Sequence, residues 1–197
     1  MILVSHRRNT VAQLRDTPRN YGVEVDIRSD RDRLIIHHDP FADGEDFENW
    51  LENYSHRLLI LNVKEEGLEQ RLLALMAARK IDEFFFLDQS FPFLVKTARG
   101  GERRAAVRVS EFESIRTAET LAGLVDWIWL DCFTRFPVSG EEAARLKSLG
   151  FRLCLVSPEL QGRPDEIPAL RALLRRDGVD ADAVCTKRPD LWEKAID

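Results

Sequence analysis

Gly22-Val23-Glu24-Val25-Asp26-Ile27-Arg28, then Ser29-Asp30-Arg31-Asp32-Arg33, then Leu34-Ile35-Ile36-His37-His38-Asp39: on this stretch the topology of the chain turns. Both flanks are rich in β-branched residues and read as strands. The residues between them, 29–33, are too few for a parallel crossover, which needs a dozen or more. Residues 22–28 and 34–37 therefore pair as an antiparallel hairpin. Within the first arm, Val23, Val25 and Ile27 share one face, while Glu24 and Asp26 share the other.

Outward from the hairpin, β-rich runs recur at residues 2–6, 58–64, 84–87, 105–109, 127–131, 151–156 and 183–186. Most are separated by amphipathic or turn-like stretches, among them residues 67–79, 140–149 and 166–176, with one further helix expected around residues 47–54. Strands alternating with helices indicate βαβ units and a mainly parallel sheet. Setting aside the hairpin's return arm leaves eight parallel strands. Eight suits a small closed (β/α)8 TIM barrel with a β-hairpin extending the second strand; an open sheet of parallel strands is the alternative. The 197 residues make one domain, 1–197, short beside the ~250 usual for such barrels, so loops must be brief. The basic, glycine-bearing stretch 97–104 reads as one of them.

Composition excludes several classes. A net charge of −5 gives no footprint for nucleic acid. No apolar run approaches the ~18 residues of a membrane span, so no stable membrane insertion is expected. The start, Met1 to Arg7, reads as a strand and not as a signal peptide. Cys132, Cys154 and Cys185 sit in or beside apolar runs without CxxC spacing, as buried reduced thiols do. The expectation is a cytoplasmic protein, its oligomeric state unset by the pattern.

In such barrels functional side chains stand at the carboxyl ends of the strands. Glu24 and Asp26 on the inner face repel each other unless a cation intervenes, and oxygen ligands of this kind suit Mg²⁺ or Ca²⁺. The hairpin returns His37, His38 and Asp39 to the level of Asp26, and His6 ends the neighbouring first strand. Two histidines at one site supply a general acid and a general base. Asn62 and Lys64 share a face at the end of the third parallel strand: an amide oxygen for a hard cation, and an ammonium that needs a carboxylate or a phosphate. Further round, Arg108 is placed to neutralise phosphate or to form an ordinary ion pair, and Trp129 to wall the pocket or to join the core beside Trp127.

His6-Arg7, followed by Asn9-Thr10, then Glu24-x-Asp26, then His38-Asp39, resembles the signature of the glycerophosphodiester phosphodiesterases, relatives of phosphatidylinositol-specific phospholipase C and sphingomyelinase D. Residues 86–91 and 183–189 are similar to that family's fourth and last strand regions. The resemblance implies a (β/α)8 barrel that hydrolyses small phosphodiesters of the kind met in lipid metabolism. It implies His6 and His38 as the acid–base pair, Glu24 and Asp26 as ligands of a divalent cation, Lys64 at the phosphate, and Arg7 facing phosphate or bracing the site.

The chain departs from that pattern in three places. Asn62 stands where the family has its third carboxylate ligand, which weakens cation binding; Asp131, or Asp88, is the replacement to look for. Only residues 40–61 lie between two motifs that usually flank an insertion, so the site should be more open. Lys187 occupies a position usually held by aspartate. The alternative to a hydrolase is a catalytically inactive barrel that binds a phosphorylated ligand, and a metal-independent lyase is a third reading.

Overall fold

A computed structural model describes residues 1–193. Its strands are β1 (Ile2–Ser5), β2 (Gly22–Asp30), β3 (Arg33–Ile36), β4 (Glu45–Asp46), β5 (Leu58–Val63), β6 (Phe84–Leu87), β7 (Ala106–Val109), β8 (Trp127–Leu130), β9 (Arg152–Val156) and β10 (Ala183–Thr186). The helices are α1 (Val11–Arg15), α2 (Phe47–Leu51), α3 (Glu69–Arg79), α4 (Phe91–Arg99), α5 (Ile115–Glu119), α6 (Gly140–Ser148), α7 (Ile167–Arg176) and α8 (Pro189–Glu193).

Among the described residues, eight parallel strands follow the order β6-β5-β2-β1-β10-β9-β8-β7. The sheet curls, and its ladder is open between β6 and β7. A single bridge, Phe86 to Ala105, spans that gap, with Phe86 N donating to Arg104 O at 2.9 Å. The expected α/β architecture with parallel strands is present, but the sheet is not a continuous closed ladder.

The hairpin forms as the short spacing requires. Ile27 pairs with Ile36 and Asp30 with Arg33, and Arg31 takes the left-handed conformation of a tight turn at φ 57°. A two-residue strand, β4, then adds antiparallel to β3. It was too short to leave a pattern in the sequence. Gly22 is needed where three strands begin to pair: a Cβ there would lie 2.9 Å from Val4 Cγ2 and 3.0 Å from Leu58 O.

One boundary differs from expectation. Residues 97–99 are not loop but the last turn of α4, where Lys96 and Arg99 complement the helix dipole. The helix stops at Gly100, and Gly101 follows at φ 95°.

Alternation along the strands sorts the core into two layers. Val23, Val25, Ile27, Leu59, Leu61 and Val63 pack outward under the helices. Ile2, Val4, Leu58, Ile60, Phe85 and Trp127 fill the inside of the curl, where the Phe85 and Trp127 rings stack 4.6 Å apart. Each such buried side chain contributes about 1.5–3 kcal/mol. On β2 the inward positions carry Glu24 and Asp26 instead, both 0% exposed. Among the described residues no helix is long and apolar enough to cross a membrane.

Candidate active site

Strand register brings the polar residues together. Asp26 on β2 lies beside Asn62 on β5, and Ser5 on β1 pairs with Val23, which puts His6 level with Glu24. His6 Nε2 is 3.7 Å from Glu24 Oε2. The same Glu24 oxygen accepts the backbone N–H of Arg7 at 2.7 Å, while Oε1 accepts Asn62 Nδ2 at 2.9 Å. Arg7 reaches this position only with φ at 51°, a left-handed conformation that costs a non-glycine residue about 1–2 kcal/mol.

Asp26 is ringed by donors. Asn9 Nδ2 donates to Oδ2 at 2.8 Å, and Asn9 Oδ1 accepts Asp26 N at 3.1 Å. The Arg7 guanidinium lies 3.4 Å from Oδ2, and Lys64 Nζ lies 3.3 Å from Oδ1. Lys64 also reaches Asp88 Oδ2 at 3.4 Å.

Burial sets the protonation pattern. It pushes the Glu24 carboxyl up to about 7, aided by the charge of Asp26 and opposed by the hydrogen bonds from Arg7 and Asn62. Burial, then the Arg7 charge, holds His6 down at about 3. His6 is therefore neutral at ordinary pH and able to accept a proton.

His6, Arg7, Glu24, Asp26, Asn62 and Lys64 thus lie together at the ends of β1, β2 and β5. His38 does not join them. The hairpin does bring the backbone to the right level, since His37 N donates to Asp26 O at 3.0 Å. The His38 imidazole instead stands on the rim, 41% exposed, with Nδ1 2.7 Å from Asp39 Oδ1. Arg28 fixes its backbone by donating to His38 O at 2.9 Å. His38, Asp39, Arg7 and Asn9 are among the residues that line a cavity of about 850 Å³.

Asp131 is not at the carboxylate pair either. It ends β8, four places along the sheet from β2. There it accepts Arg108 Nη1 at 2.6 Å and Gln161 Nε2 at 2.8 Å. Arg108, read as a phosphate neutraliser or an ordinary ion pair, makes ion pairs with Asp131, Asp88 and, at 3.8 Å, Glu113. Trp129 is buried in the inner core layer with Trp127. Among the described residues no three His, Cys, Asp or Glu side chains are grouped to hold a metal. Two contributors were not assigned roles from the sequence: Asn9, which clamps Asp26, and Asp39, which orients His38. Asn9 follows the His-Arg pair closely, but its contact depends on the Arg7 turn, which spacing does not disclose.

No protein-family model and no curated protein sequence matches the chain. Its fold does match solved structures. A glycerophosphodiester phosphodiesterase from Agrobacterium tumefaciens str. C58 superposes with a TM-score of 0.69 at 14% identity, covering 97% of this chain and 98% of that one. A glycerophosphoryl diester phosphodiesterase from Parabacteroides distasonis ATCC 8503 gives 0.66 at 13% identity, covering 96% and 84%. A mutant tryptophan synthase α-subunit from Pyrococcus furiosus gives 0.52 at 12% identity, covering 94% and 85%. The chain has the fold of the two phosphodiesterases, in keeping with the resemblance in its first forty residues. The third match shows that this architecture also hosts other chemistry.

Proposed function

We propose that the chain hydrolyses small phosphodiesters at the carboxyl ends of β1, β2 and β5, on a (β/α)8 barrel closed through the Phe86–Ala105 bridge. The observation that carries this reading is the convergence of a neutral His6 with two cations, Arg7 and Lys64, over a buried carboxylate pair. A phosphodiester bears one negative charge, and it gains more on its equatorial oxygens as the nucleophile adds. Lys64 and Arg7 are placed to hold that charge. His6 takes the proton from the attacking hydroxyl, either water or the substrate's own neighbouring alcohol. One P–O bond forms and the bond to the leaving alcohol breaks. His38, with Nδ1 held by Asp39, offers Nε2 across the cavity to protonate the leaving oxygen.

The resemblance implies a divalent cation, Mg²⁺ or Ca²⁺, on Glu24, Asp26, Asn62 and Asp131. The donors present do not fit that set. Asp131 is engaged elsewhere, Asn62 turns its amide N–H toward Glu24, and both carboxylates already face protein donors.

The test is hydrolysis of bis(p-nitrophenyl) phosphate and of glycerophosphodiesters by wild type, His6→Ala and His38→Ala. Turnover that falls at least about a hundredfold in both variants supports the reading. Absence of turnover by wild type, with phosphodiester or phosphate binding unchanged in His38→Ala, replaces the hydrolase by the phosphoryl-ligand-binding barrel. Asn62 favours that second reading.

A further inference from the structure

Asn62 does more than fail to be a ligand. On the inner face of β5 it donates through Nδ2 to Glu24 Oε1 at 2.9 Å, the lone pair that a cation would use. Of the remaining carboxylate oxygens, two accept a hydrogen bond and the third faces a cation. Glu24 Oε2 takes the Arg7 N–H, Asp26 Oδ2 takes Asn9, and Lys64 lies against Asp26 Oδ1. Arg7 at 3.4 Å and Lys64 at 3.3 Å both face Asp26, so two protein cations already stand against the carboxylate pair without any ligand. Two oxygens here accept no hydrogen bond, Asn62 Oδ1 and Asp26 Oδ1, and Lys64 Nζ stands 3.3 Å from the second, which leaves one neutral and one cation-covered donor where hard cations take six or more oxygens. A dication added here would bring two further positive charges beside Arg7 and Lys64 in a shielded pocket. A carboxylate at position 62 would offset one of those charges.

We propose that Arg7 and Lys64 carry the charge-stabilising work themselves, that the site operates without a divalent cation, and that Asn62 is the residue that sets this. The catalytic half of the inference rests on the phosphodiesterase reading. The binding half stands without it.

The experiment uses the full chain freed of metal with EDTA. Mn²⁺ binding is followed by the electron paramagnetic resonance signal of the free ion, in wild type, Asn62→Glu and Asn62→Asp. Initial rates on bis(p-nitrophenyl) phosphate are then compared in EDTA and in Mn²⁺. Wild type is expected to bind Mn²⁺ no tighter than millimolar. At least one carboxylate variant is expected to bind about a hundredfold tighter or better, from the added charge at close range. The wild-type rate should be equal in EDTA and in Mn²⁺. One-to-one micromolar binding by wild type overturns the proposal, as does a rate that falls more than tenfold in EDTA and returns with Mn²⁺. If no diester is turned over under any condition, the phosphodiesterase reading fails, and the Mn²⁺ titration alone decides whether Asn62 bars the cation.

Discussion

The mouth of the curled sheet has two charged sides built from similar residue types, and they are finished very differently. At the ends of β6, β7 and β8, Arg108 bridges Asp88 and Asp131, and Gln161 takes the other Asp131 oxygen. Both oxygens of that buried carboxylate are paired. At the ends of β1, β2 and β5, His6 Nδ1, Arg7 Nε, Asp26 Oδ1 and Asn62 Oδ1 are all buried without a hydrogen-bond partner. Each buried group left unmet costs about 1–3 kcal/mol. Arg7 adds backbone strain on the same side. A folded chain tolerates such a concentration of unmet groups where a ligand completes them. The comparison separates a largely paired side, where Gln89 Oε1 goes unmet, from the side with several unmet atoms on which the proposed function rests.

The largest effect should come from the cations, one from each side. Lys64→Met removes the ammonium that faces Asp26 and the open mouth. Turnover of bis(p-nitrophenyl) phosphate should fall by about 10²–10³, the usual loss when one donor to a developing oxyanion is removed. Arg108→Met, with the same replacement residue and the same loss of charge, should leave turnover per folded molecule within about threefold of wild type, since its guanidinium is occupied by Asp88 and Asp131. Steady-state kinetics on both variants, with circular dichroism to confirm folding, checks the contrast. Equal losses of turnover in the two would break the division of the mouth into a working side and a bracing side.

The next effect belongs to the bracing side and is one of stability. Asp131 is nearly buried, and Asp131→Asn removes the charge between Arg108 and Gln161 while keeping the volume. Unfolding free energy from urea titration should drop by about 1–3 kcal/mol, with turnover per folded molecule unchanged. A variant of wild-type stability would mean that the paired side contributes nothing that the unpaired side lacks.

How much of this was legible follows from what fixes each feature. Strand parity fixes a face, so Glu24, Asp26, Asn62 and Lys64 could be placed inward from period two alone, and the residues 29–33 forced the hairpin. Parity does not fix reach around the sheet. Asp131 was read correctly as ending a strand, yet that strand lies four places from the carboxylate pair. His38 was brought to the right height through the backbone of its neighbour. Its side chain then turned to Asp39, on a segment whose course is set by the pairing of β3 with the two-residue β4. Of the four five-residue helices, α2 was expected, while α1, α5 and α8 are under two turns long and left no periodic trace. The Arg7 backbone contact depends on a left-handed turn, which no residue-type pattern announces at an arginine.

The smallest expected effect probes the strain on the working side directly. The Glu24 carboxyl is raised from its ordinary 4.5 to about 7 in the folded chain. Below pH 4.5 it is protonated in both states and contributes no pH dependence. Between 4.5 and 7 the unfolded chain releases this proton and the folded chain keeps it, so stability falls as pH rises through that window and stays reduced above it. His6 acts in the opposite sense. Its folded value of about 3 against an ordinary 6.5 costs stability as pH falls below 6.5, so the two offset each other between 4.5 and 6.5 in the wild type. Glu24→Gln removes one partner of this balance and keeps one acceptor oxygen, so of Arg7 N and Asn62 Nδ2 one donor loses its acceptor at every pH. Its melting temperature, relative to wild type, should rise from pH 5 to pH 8 by about 2–4 °C for each kcal/mol relieved, whatever the variant does to turnover. Paired melting curves across that range measure the difference without needing a substrate. A difference that stays flat from pH 5 to pH 8 would mean that Glu24 does not hold its proton in the fold. The buried carboxylate pair would then be as well compensated as Asp131, and the contrast between the two sides of the mouth would have to rest on the unpaired atoms of His6, Arg7 and Asn62 alone.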